Sequence, residues 1–335
     1  MAVTTESAST GALSEPVEQM TLKRRAFTFV ERFSLPLAFI VVILAFSLLL
    51  PDTFATWNNA LAILDQAAPL IVMASGLIVV LVMKEFDLSI GAVAGASAAV
   101  SVTLMSYHGV SSSVAILAGI GTGLLVGFAN GILVARVGIP SFIATLATGS
   151  LLAGLELAIA NTTIFEGLGD LYLQLTSGSV FGLPMAFVVA IVFATILGVI
   201  LRKTVFGRHA SAIGDNAVAA RLVGLPVDRD RIIAFTVSGG AAALAGVLLT
   251  SRAMSFYPGP GNGLMLPAYA AAFLSLSLGQ GWRFNIGGTV LGVVFLGAIT
   301  TGLTMLNQPP WVAAVVQGLV LLTTVMALAR RQARR

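Results

Sequence analysis

Apolar residues along the chain fall into long runs separated by short polar stretches. An α-helix needs roughly 20 apolar residues to cross about 30 Å of hydrocarbon. Ten runs approach that length, near 35–50, 60–83, 88–107, 113–135, 141–161, 185–203, 233–251, 266–279, 287–306 and 311–329. The pattern predicts an all-α fold, a polytopic membrane helical bundle of about ten transmembrane helices.

The positions of the basic residues predict how this bundle is oriented. Lys and Arg near the ends of spans resist translocation and collect in cytoplasmic loops. With ten spans and both termini in the cytoplasm, Arg252 is the only one of the 18 basic residues that falls outside. The sequence therefore predicts a cytoplasmic N-terminal tail over 1–34, a transmembrane domain over 35–329 with a cytoplasmic loop at 204–232, and a basic cytoplasmic C-terminus over 330–335.

Composition agrees with a membrane protein and excludes several other classes. Hydrophobic residues make up 57% of the 335 positions and charged residues 10%, whereas about a quarter of the residues in a soluble domain are charged. The net charge of +4 follows from the basic residues that orient the spans, so we expect the lipid bilayer as surroundings and no nucleic-acid partner. The chain has no cysteine, and hence no disulfide framework or thiolate metal site.

Glycines in the fourth predicted span follow a regular spacing. Gly119, Gly123, Gly127 and Gly131 recur at every fourth residue. This spacing places all four on one face of a helix, where the backbone of another helix can approach closely. The pattern predicts a packing seam, although it identifies no substrate.

Polar side chains inside the predicted spans are candidates for a solute pathway, because they are costly in hydrocarbon. Asp65 and Glu156 lie deepest in the predicted spans. Asp87 precedes the third span, where it either caps the next helix or lines the pathway. Neutral polar groups at span ends suit hydrogen bonding to a hydroxylated solute. The candidate pathway residues are Asp87, Ser89, Asn130, Phe142, Thr145, Thr148 and Asn307.

No catalytic or metal-binding constellation is visible in the sequence. His108 and His209 fall on opposite sides of the predicted membrane. The chain contains no His-Glu-x-x-His motif, no Gly-x-Ser-x-Gly motif and no phosphate-binding GxxxxGK[ST] loop. We therefore expect neither an enzyme nor a bound cofactor, and any energy source must lie on another subunit.

The loop 204–232 contains the signals of a short capped helix. Gly214 and Gly224 bound it, and either Asp215 or Asn216 is placed to cap its first turn. Such a helix lying along the membrane face suits docking, and a plain connecting helix is the alternative. The candidate docking residues are Gly214, Asp215, Asn216, Ala219, Ala220, Arg221 and Gly224.

Several stretches carry a resemblance to a known family. Within the loop they are 207–208, 212–216 and 219–224; upstream they are 87–91, 130–136 and 138–146; downstream they are 238–239, 242–246 and 287–292. In this order, over roughly residues 60 to 329, they resemble the permease subunits of ribose-type ABC sugar importers. That family includes the ribose, xylose, arabinose, galactofuranose and autoinducer-2 permeases.

The resemblance implies a multi-pass subunit of the bacterial plasma (inner) membrane that pairs with a second copy or a paralogue. It also implies a cytoplasmic ATP-binding cassette ATPase, which uses the ATP, and an extracytoplasmic sugar-binding protein. Segment 214–224 would be the coupling helix that inserts into a cleft of the ATPase. The complex would import a monosaccharide or related polyhydroxylated solute by alternating access.

Two other classes of protein remain as alternatives. An ion-coupled secondary transporter or channel for a small polar solute would use Asp65, Asp87 or Glu156 as proton or sodium sites. A membrane-embedded enzyme has little support, because no cluster of acid, base, metal ligand or nucleophile can be assembled on one side of the membrane.

Overall fold

The computed structural model describes residues 34–160, 162–164, 167–278 and 283–332, with side chains up to Met326. Almost all of the predicted N-terminal tail and the last three residues of the predicted basic C-terminus lie outside the described residues. The α-helices are α1 Ser34–Leu49, α2 Trp57–Val82, α3 Ile90–Ser106, α4 Ser112–Ile132, α5 Ser141–Ile159, α6 Asp170–Ser177, α7 Met185–Lys203, α8 Val205–Asp215, α9 Ala217–Leu222, α10 Val227–Ala253, α11 Met265–Leu274, α12 Ile286–Met305 and α13 Pro310–Gln332.

Shorter elements interrupt or extend these helices. A π-helical turn, Leu133–Val137, continues α4, and the 3₁₀ turns Asn262–Leu264 and Ser275–Ser277 flank α11. The strands β1 Ser179–Val180 and β2 Leu183–Pro184 pair antiparallel. The turn between them needs two residues in the left-handed region, and Phe181 and Gly182 supply φ values of 52° and 78°. The predicted all-α fold therefore gains one small hairpin.

Length and apolar content identify the helices that can cross a membrane. Six qualify within the described residues: α2, α4 with its π turn, α5, α7, α10 and α12. Shorter apolar stretches are Leu35–Leu49, Ile90–Ser106 and Pro310–Met326. Helix α11 has ten residues and spans only about 15 Å, half of the hydrocarbon core. The expected multi-pass helical fold is confirmed, while the count of about ten spans stays a prediction.

Helices α2 and α10 form the centre of the bundle. In their most apolar stretches, 78% of the α2 residues and 72% of the α10 residues are buried, against 22% in each of α4, α5 and α7. Fully buried residues such as Ile71, Leu77 and Phe235 belong to one apolar core that includes both helices. The outer helices therefore present most of their apolar surface to lipid or to another chain.

The predicted glycine seam is confirmed, with Gly123, Gly127 and Gly131 of α4 packed against α10 and Gly119 packed against Ser97 and Ser101 of α3. A Cβ added at Gly127 would overlap the carbonyl oxygen of Phe235, and one added at Gly123 would overlap that of Gly239. Gly131 lies against the backbone of Ile232 one turn further along. The two helices approach closely because these positions carry no side chain.

Contacts at the helix termini show which of them share an end of the bundle. At the end that contains residues 204–232, called the loop end below, Val82 of α2 lies against Gly214 and Glu85 binds Arg231. At the opposite end, Arg252 of α10 binds Asp65 near the start of α2. Helices α2 and α10 thus run antiparallel through the core.

Candidate functional site

The loop between α2 and α3 places the Asp87 carboxylate in the interior of the bundle. Oδ1 accepts hydrogen bonds from the backbone N–H of Ser89 at 3.0 Å and from its hydroxyl at 2.6 Å. Oδ2 accepts a hydrogen bond from the Ser238 hydroxyl at 2.8 Å. The Asp87 N–H donates to the Tyr269 hydroxyl at 3.0 Å. Since a buried charge is costly without such partners, these bonds allow the carboxylate to be only 1% exposed.

The network continues from Ser89 into α4 and α5. The Asn130 amide donates to the Ser89 hydroxyl at 3.0 Å, and Thr148 donates to the Asn130 carbonyl oxygen at 2.7 Å. The Thr145 hydroxyl accepts from the backbone N–H of Leu88 at 3.0 Å. The structure thus brings together five of the predicted pathway residues: Asp87, Ser89, Asn130, Thr145 and Thr148.

The remaining two predicted pathway residues lie outside this hydrogen-bond network. Phe142 is on the outer face of α5, where 54% of it is exposed. Its neighbour Ser141 faces inward and accepts a hydrogen bond from the Phe86 N–H at 3.1 Å. Asn307 is exposed in the turn between α12 and α13 and has a left-handed φ of 54°. Contact with a solute remains a prediction for all seven residues.

Sequence reasoning missed Ser238 and Tyr269 as partners of Asp87. Both belong to largely apolar helices, α10 and α11, in which a hydroxyl alone does not reveal what it binds. Ser238 precedes Gly239, which packs against Gly123 and Gly127 of α4. This neighbouring glycine was the sequence signal that could have identified Ser238. A hydroxyl at a close helix crossing is well placed to donate to a buried acceptor on another element.

The other membrane carboxylates also have protein partners. Asp65 accepts a hydrogen bond from Arg252 Nε at 2.6 Å in an ion pair. Glu156 on α5 is 3% exposed and accepts from the Gly259 N–H at 2.6 Å. The described residues contain no group of three His, Cys, Asp or Glu side chains that would hold a metal ion. The carboxylates that an ion-coupled transporter would use are therefore engaged in structural contacts.

The loop between α10 and α11 turns back into the bundle. A Cβ added at Gly261 would overlap the carbonyl oxygen of Gly91, which lies in the first turn of α3. Helix α11 starts after this loop and carries Tyr269 to the Asp87 backbone. Irregular backbone at membrane depth is tolerated where protein covers it or where it lines a cavity. Here the protein covers the loop, because Gly261 packs against the backbone of Gly91.

Two helices form the predicted docking segment. The Asn216 side chain caps α9 and accepts from the N–H groups of Val218 and Ala219, both at 3.0 Å. Asp215 instead ends α8 and pairs with Arg283 at 3.4 Å. The prediction that Gly214 bounds the short helix is wrong, because Gly214 lies in the last turn of α8 against Val82.

Helix α9 exposes apolar side chains, and contacts within the loop hold the helix in place. Leu222 is 83% exposed and Val218 is 72% exposed, whereas Ala220 is buried. Arg221 binds Asp228 at the start of α10, and Gly224 ends the segment with a left-handed φ of 84°. Exposed apolar residues on a polar loop mark a candidate interaction surface.

Several long apolar helices around a buried polar network define a multi-pass membrane protein. A family model described as branched-chain amino acid transport system / permease component matches residues 59–325. The chain belongs to this family of transport permeases.

Relatives with sequence similarity along most of their length include two import permeases. The chain is 32% identical over 297 residues to the ribose import permease protein RbsC of Haemophilus influenzae, covering 87% of this chain and 91% of that protein. It is 35% identical over 284 residues to the autoinducer 2 import system permease protein LsrC of Salmonella choleraesuis, covering 84% and 81%. The predicted resemblance to ribose-type importer permeases is confirmed, and these relatives are transport components rather than enzymes.

A solved structure has the same fold. The chain of a metal-chelate type ABC transporter, described in an inward-facing conformation, superposes with a TM-score of 0.51 at 14% identity. The match covers 89% of this chain and 98% of that chain. At this identity the similarity concerns the fold, and it agrees with the arrangement of helices described above.

Proposed function

We propose that this chain is the membrane-spanning subunit of an ATP-binding cassette importer, and that it moves a monosaccharide or related polyhydroxylated solute into the cytoplasm by alternating access. The proposal rests mainly on α9. This short helix is capped at its start, and its apolar side chains are exposed. An ATPase subunit needs such an element in order to move helices that it does not itself contain.

Contacts beneath α9 provide a route from the ATPase to the core. Arg221 of α9 binds Asp228 of α10, and Gly214 of α8 packs against Val82 of α2. Gly207 of α8 packs against the backbone of Leu201 of α7. A displacement of α8 and α9 therefore acts on the ends of three long helices, which is the action expected of a coupling helix.

The proposed membrane orientation rests on charge. Basic residues at the loop end, including Arg202, Lys203, Arg229 and Arg231, support a cytoplasmic position for that end under the positive-inside rule. Arg252 lies at the opposite end and is paired with Asp65, so its charge is compensated. Ten crossings, with both termini in the cytoplasm and α11 as an incomplete span, account for this distribution.

Partners follow from the exposed surfaces and the family. The inner membrane is the expected location, with an ATP-binding cassette ATPase on α9 and an extracytoplasmic sugar-binding protein at the opposite end. A second copy or a paralogue would cover part of the exposed apolar surface of α4 and α5, which includes Leu125, Leu151 and Phe142. The pathway would run along this face, close to the half-buried Thr148.

The solute is proposed to be neutral and hydroxylated. One relative is named for ribose, whereas the family description names branched-chain amino acids. An amino acid carries two charges that need fixed partners in the membrane, and Asp65, Asp87 and Glu156 are already engaged. The polar groups nearest the exposed side of α5 are neutral hydroxyls, which suits a sugar.

The decisive experiment is reconstitution of this chain into proteoliposomes with its ATPase and binding protein. We expect uptake of a labelled pentose such as ribose only with ATP inside the vesicles, and competition by related sugars rather than by leucine. Uptake by this chain alone along a proton or sodium gradient, lost in Asp65→Asn, would instead establish the ion-coupled alternative.

The docking role of α9 is tested by co-purification of the ATPase. Leu222→Asp and Val218→Asp place a charge on exposed positions, so the fold should persist while ATPase binding weakens at least tenfold. Phe181→Asp is the matched control, because Phe181 is also fully exposed but lies in the β1–β2 hairpin. Retention of the ATPase by both α9 variants would contradict the docking assignment.

A further inference from the structure

A cavity of about 490 Å³ opens at the loop end of the bundle. It lies between the ends of α2 and α7, helix α8 and the start of α12. Much of its lining is apolar and includes Leu81, Leu201, Phe273 and Phe284, the last two packed edge to face with ring centroids 5.6 Å apart. Its volume is in the range of sites that bind small molecules.

Charged side chains surround the mouth of this cavity. Lys84, Arg202, Arg283 and Asp215 line it and are exposed. Arg283 and Asp215 pair at 3.4 Å and offset each other. In the part of the chain that the structure describes, Lys84 and Arg202 have no carboxylate partner within ion-pair distance. The mouth therefore carries two uncompensated positive charges beside an apolar wall.

Lys84 occupies an unusual backbone conformation. Its φ is 59°, in the left-handed region that glycine adopts without strain and that costs other residues roughly 1 kcal/mol. Its N–H donates a hydrogen bond to the Leu81 carbonyl oxygen at 2.9 Å, which closes the turn that ends α2. The turn does not require a side chain, so a lysine here indicates a use for its ammonium group.

We propose that this cavity binds an anionic phospholipid. The phosphate would lie between Lys84 and Arg202. The part of the acyl chains nearest the headgroup would lie along the wall formed by Leu81, Leu201 and Phe273. Basic pockets between membrane helices at the level of the headgroups are suited to such lipids, because the cations meet the phosphate while the chains stay in hydrocarbon. A free phosphate would leave the apolar wall without a partner.

The bound lipid would contact three elements of the bundle at the loop end. It would contact the end of α2 through Lys84, the end of α7 through Arg202 and the start of α12 through Ile286. A ligand that binds only the folded arrangement stabilises that arrangement. The proposal depends on the membrane location of the chain, and it is independent of the transported solute.

The test uses the purified full chain in a neutral detergent at fixed ionic strength. Dioctanoyl phosphatidylglycerol, dioctanoyl phosphatidylcholine and inorganic phosphate are titrated separately while the thermal unfolding midpoint is followed. We expect a saturable rise with phosphatidylglycerol only. Arg202→Gln and Lys84→Gly should each weaken the apparent affinity about fivefold, the effect of one basic residue near an anionic lipid.

Two variants make the result specific. Lys84→Gly removes the charge and relieves the backbone strain, so its unfolding midpoint without lipid should equal or exceed that of the native chain while the lipid response is reduced. Lys203→Gln is the matched control, because Lys203 follows Arg202 and is exposed but does not line the cavity.

Four outcomes would overturn the proposal. They are an equal response to phosphatidylcholine, an equal response to inorganic phosphate, full lipid affinity in both Arg202→Gln and Lys84→Gly, and a loss in Lys203→Gln as large as in Arg202→Gln. The second would assign the cavity to a soluble anion, and the last would indicate a diffuse effect of surface charge.

Discussion

The Ser238 hydroxyl donates to the Asp87 carboxylate at 2.8 Å, and the two residues are 151 positions apart in the chain. The bond joins the loop that precedes α3 to the middle of α10 in the bundle core. A carboxylate at this depth is stable because each of its oxygens accepts a hydrogen bond. Asp87 is thus first of all a structural residue, whatever contact it makes with solute.

Removal of the carboxylate should destabilise the protein more than removal of one donor. Asp87→Ala leaves the hydroxyls of Ser89 and Ser238 without their acceptor, and we expect a loss of about 2 to 3 kcal/mol in unfolding free energy. Ser238→Ala removes one bond and should cost about 1 kcal/mol. Unfolding of the purified chain in lipid nanodiscs, followed by circular dichroism, measures both.

The variant Asp87→Asn distinguishes a structural role of Asp87 from a role as a proton or sodium site. The asparagine keeps one carbonyl oxygen as an acceptor, and its amide can donate to the Ser238 hydroxyl, so stability should fall by less than in Asp87→Ala. We expect ATP-driven uptake to persist in this variant. Abolished uptake in a stably folded Asp87→Asn protein would contradict a purely structural role.

Glycines of α4 should differ sharply in their tolerance of a single methyl group. Gly127→Ala places a Cβ into the Phe235 backbone and should destabilise the protein by several kcal/mol or prevent folding. Gly121→Ala in the same helix meets open space and should be neutral or stabilising by up to about 1 kcal/mol. Yield of folded protein and thermal unfolding compare the two, and similar behaviour would refute the close α4–α10 crossing.

The ion pair of Glu85 and Arg231 should show strong coupling in a double-mutant cycle. Their side chains are 14% and 21% exposed, and the charged atoms are 2.7 Å apart. Either single change to Gln leaves a half-buried charge, so the double variant should be less destabilised than the sum, by about 1 to 3 kcal/mol. Additive effects would show that the pair contributes only as a solvated contact.

The cap of α9 should affect coupling more than folding. Asn216→Ala removes the acceptor for two N–H groups and should weaken this short helix by about 1 kcal/mol, whereas Asn216→Asp keeps the cap. In reconstituted complexes we expect Asn216→Ala to reduce solute-stimulated ATP hydrolysis and Asn216→Asp to retain it. Unchanged stimulation in Asn216→Ala would show that α9 needs no cap for coupling.

Helix positions could be predicted from the sequence because an apolar run of membrane length is a local property. The helices of the bundle begin and end close to the predicted spans, and the glycine spacing in α4 correctly indicated a seam, because a four-residue repeat fixes one helix face. Asp87, Ser89 and Asn130 were chosen as polar residues in an apolar context, and the structure joins them in one network.

Features that depend on distant packing could not be predicted in this way. The return of the loop before α11 into the bundle depends on the close approach of Gly261 to Gly91, two residues far apart in sequence. Gly214 was taken for a helix boundary because glycine often ends helices, but here it allows α8 to pack against Val82. Tyr269 was missed because its partner is the Asp87 backbone N–H, which carries no sequence signal.

The Asp87 network also limits how the protein can change shape. Hydrogen bonds join the loop around Asp87 to α4, α5, α10 and α11, so a gap opening between α5 and α10 would break either the bond from Leu88 to Thr145 or the bond from Ser238 to the buried carboxylate. These helices should therefore move as a single rigid body. The proposed lipid cavity then lies where this unit meets α7, α8 and α12, and the proposed ATPase surface on α9 lies next to α8.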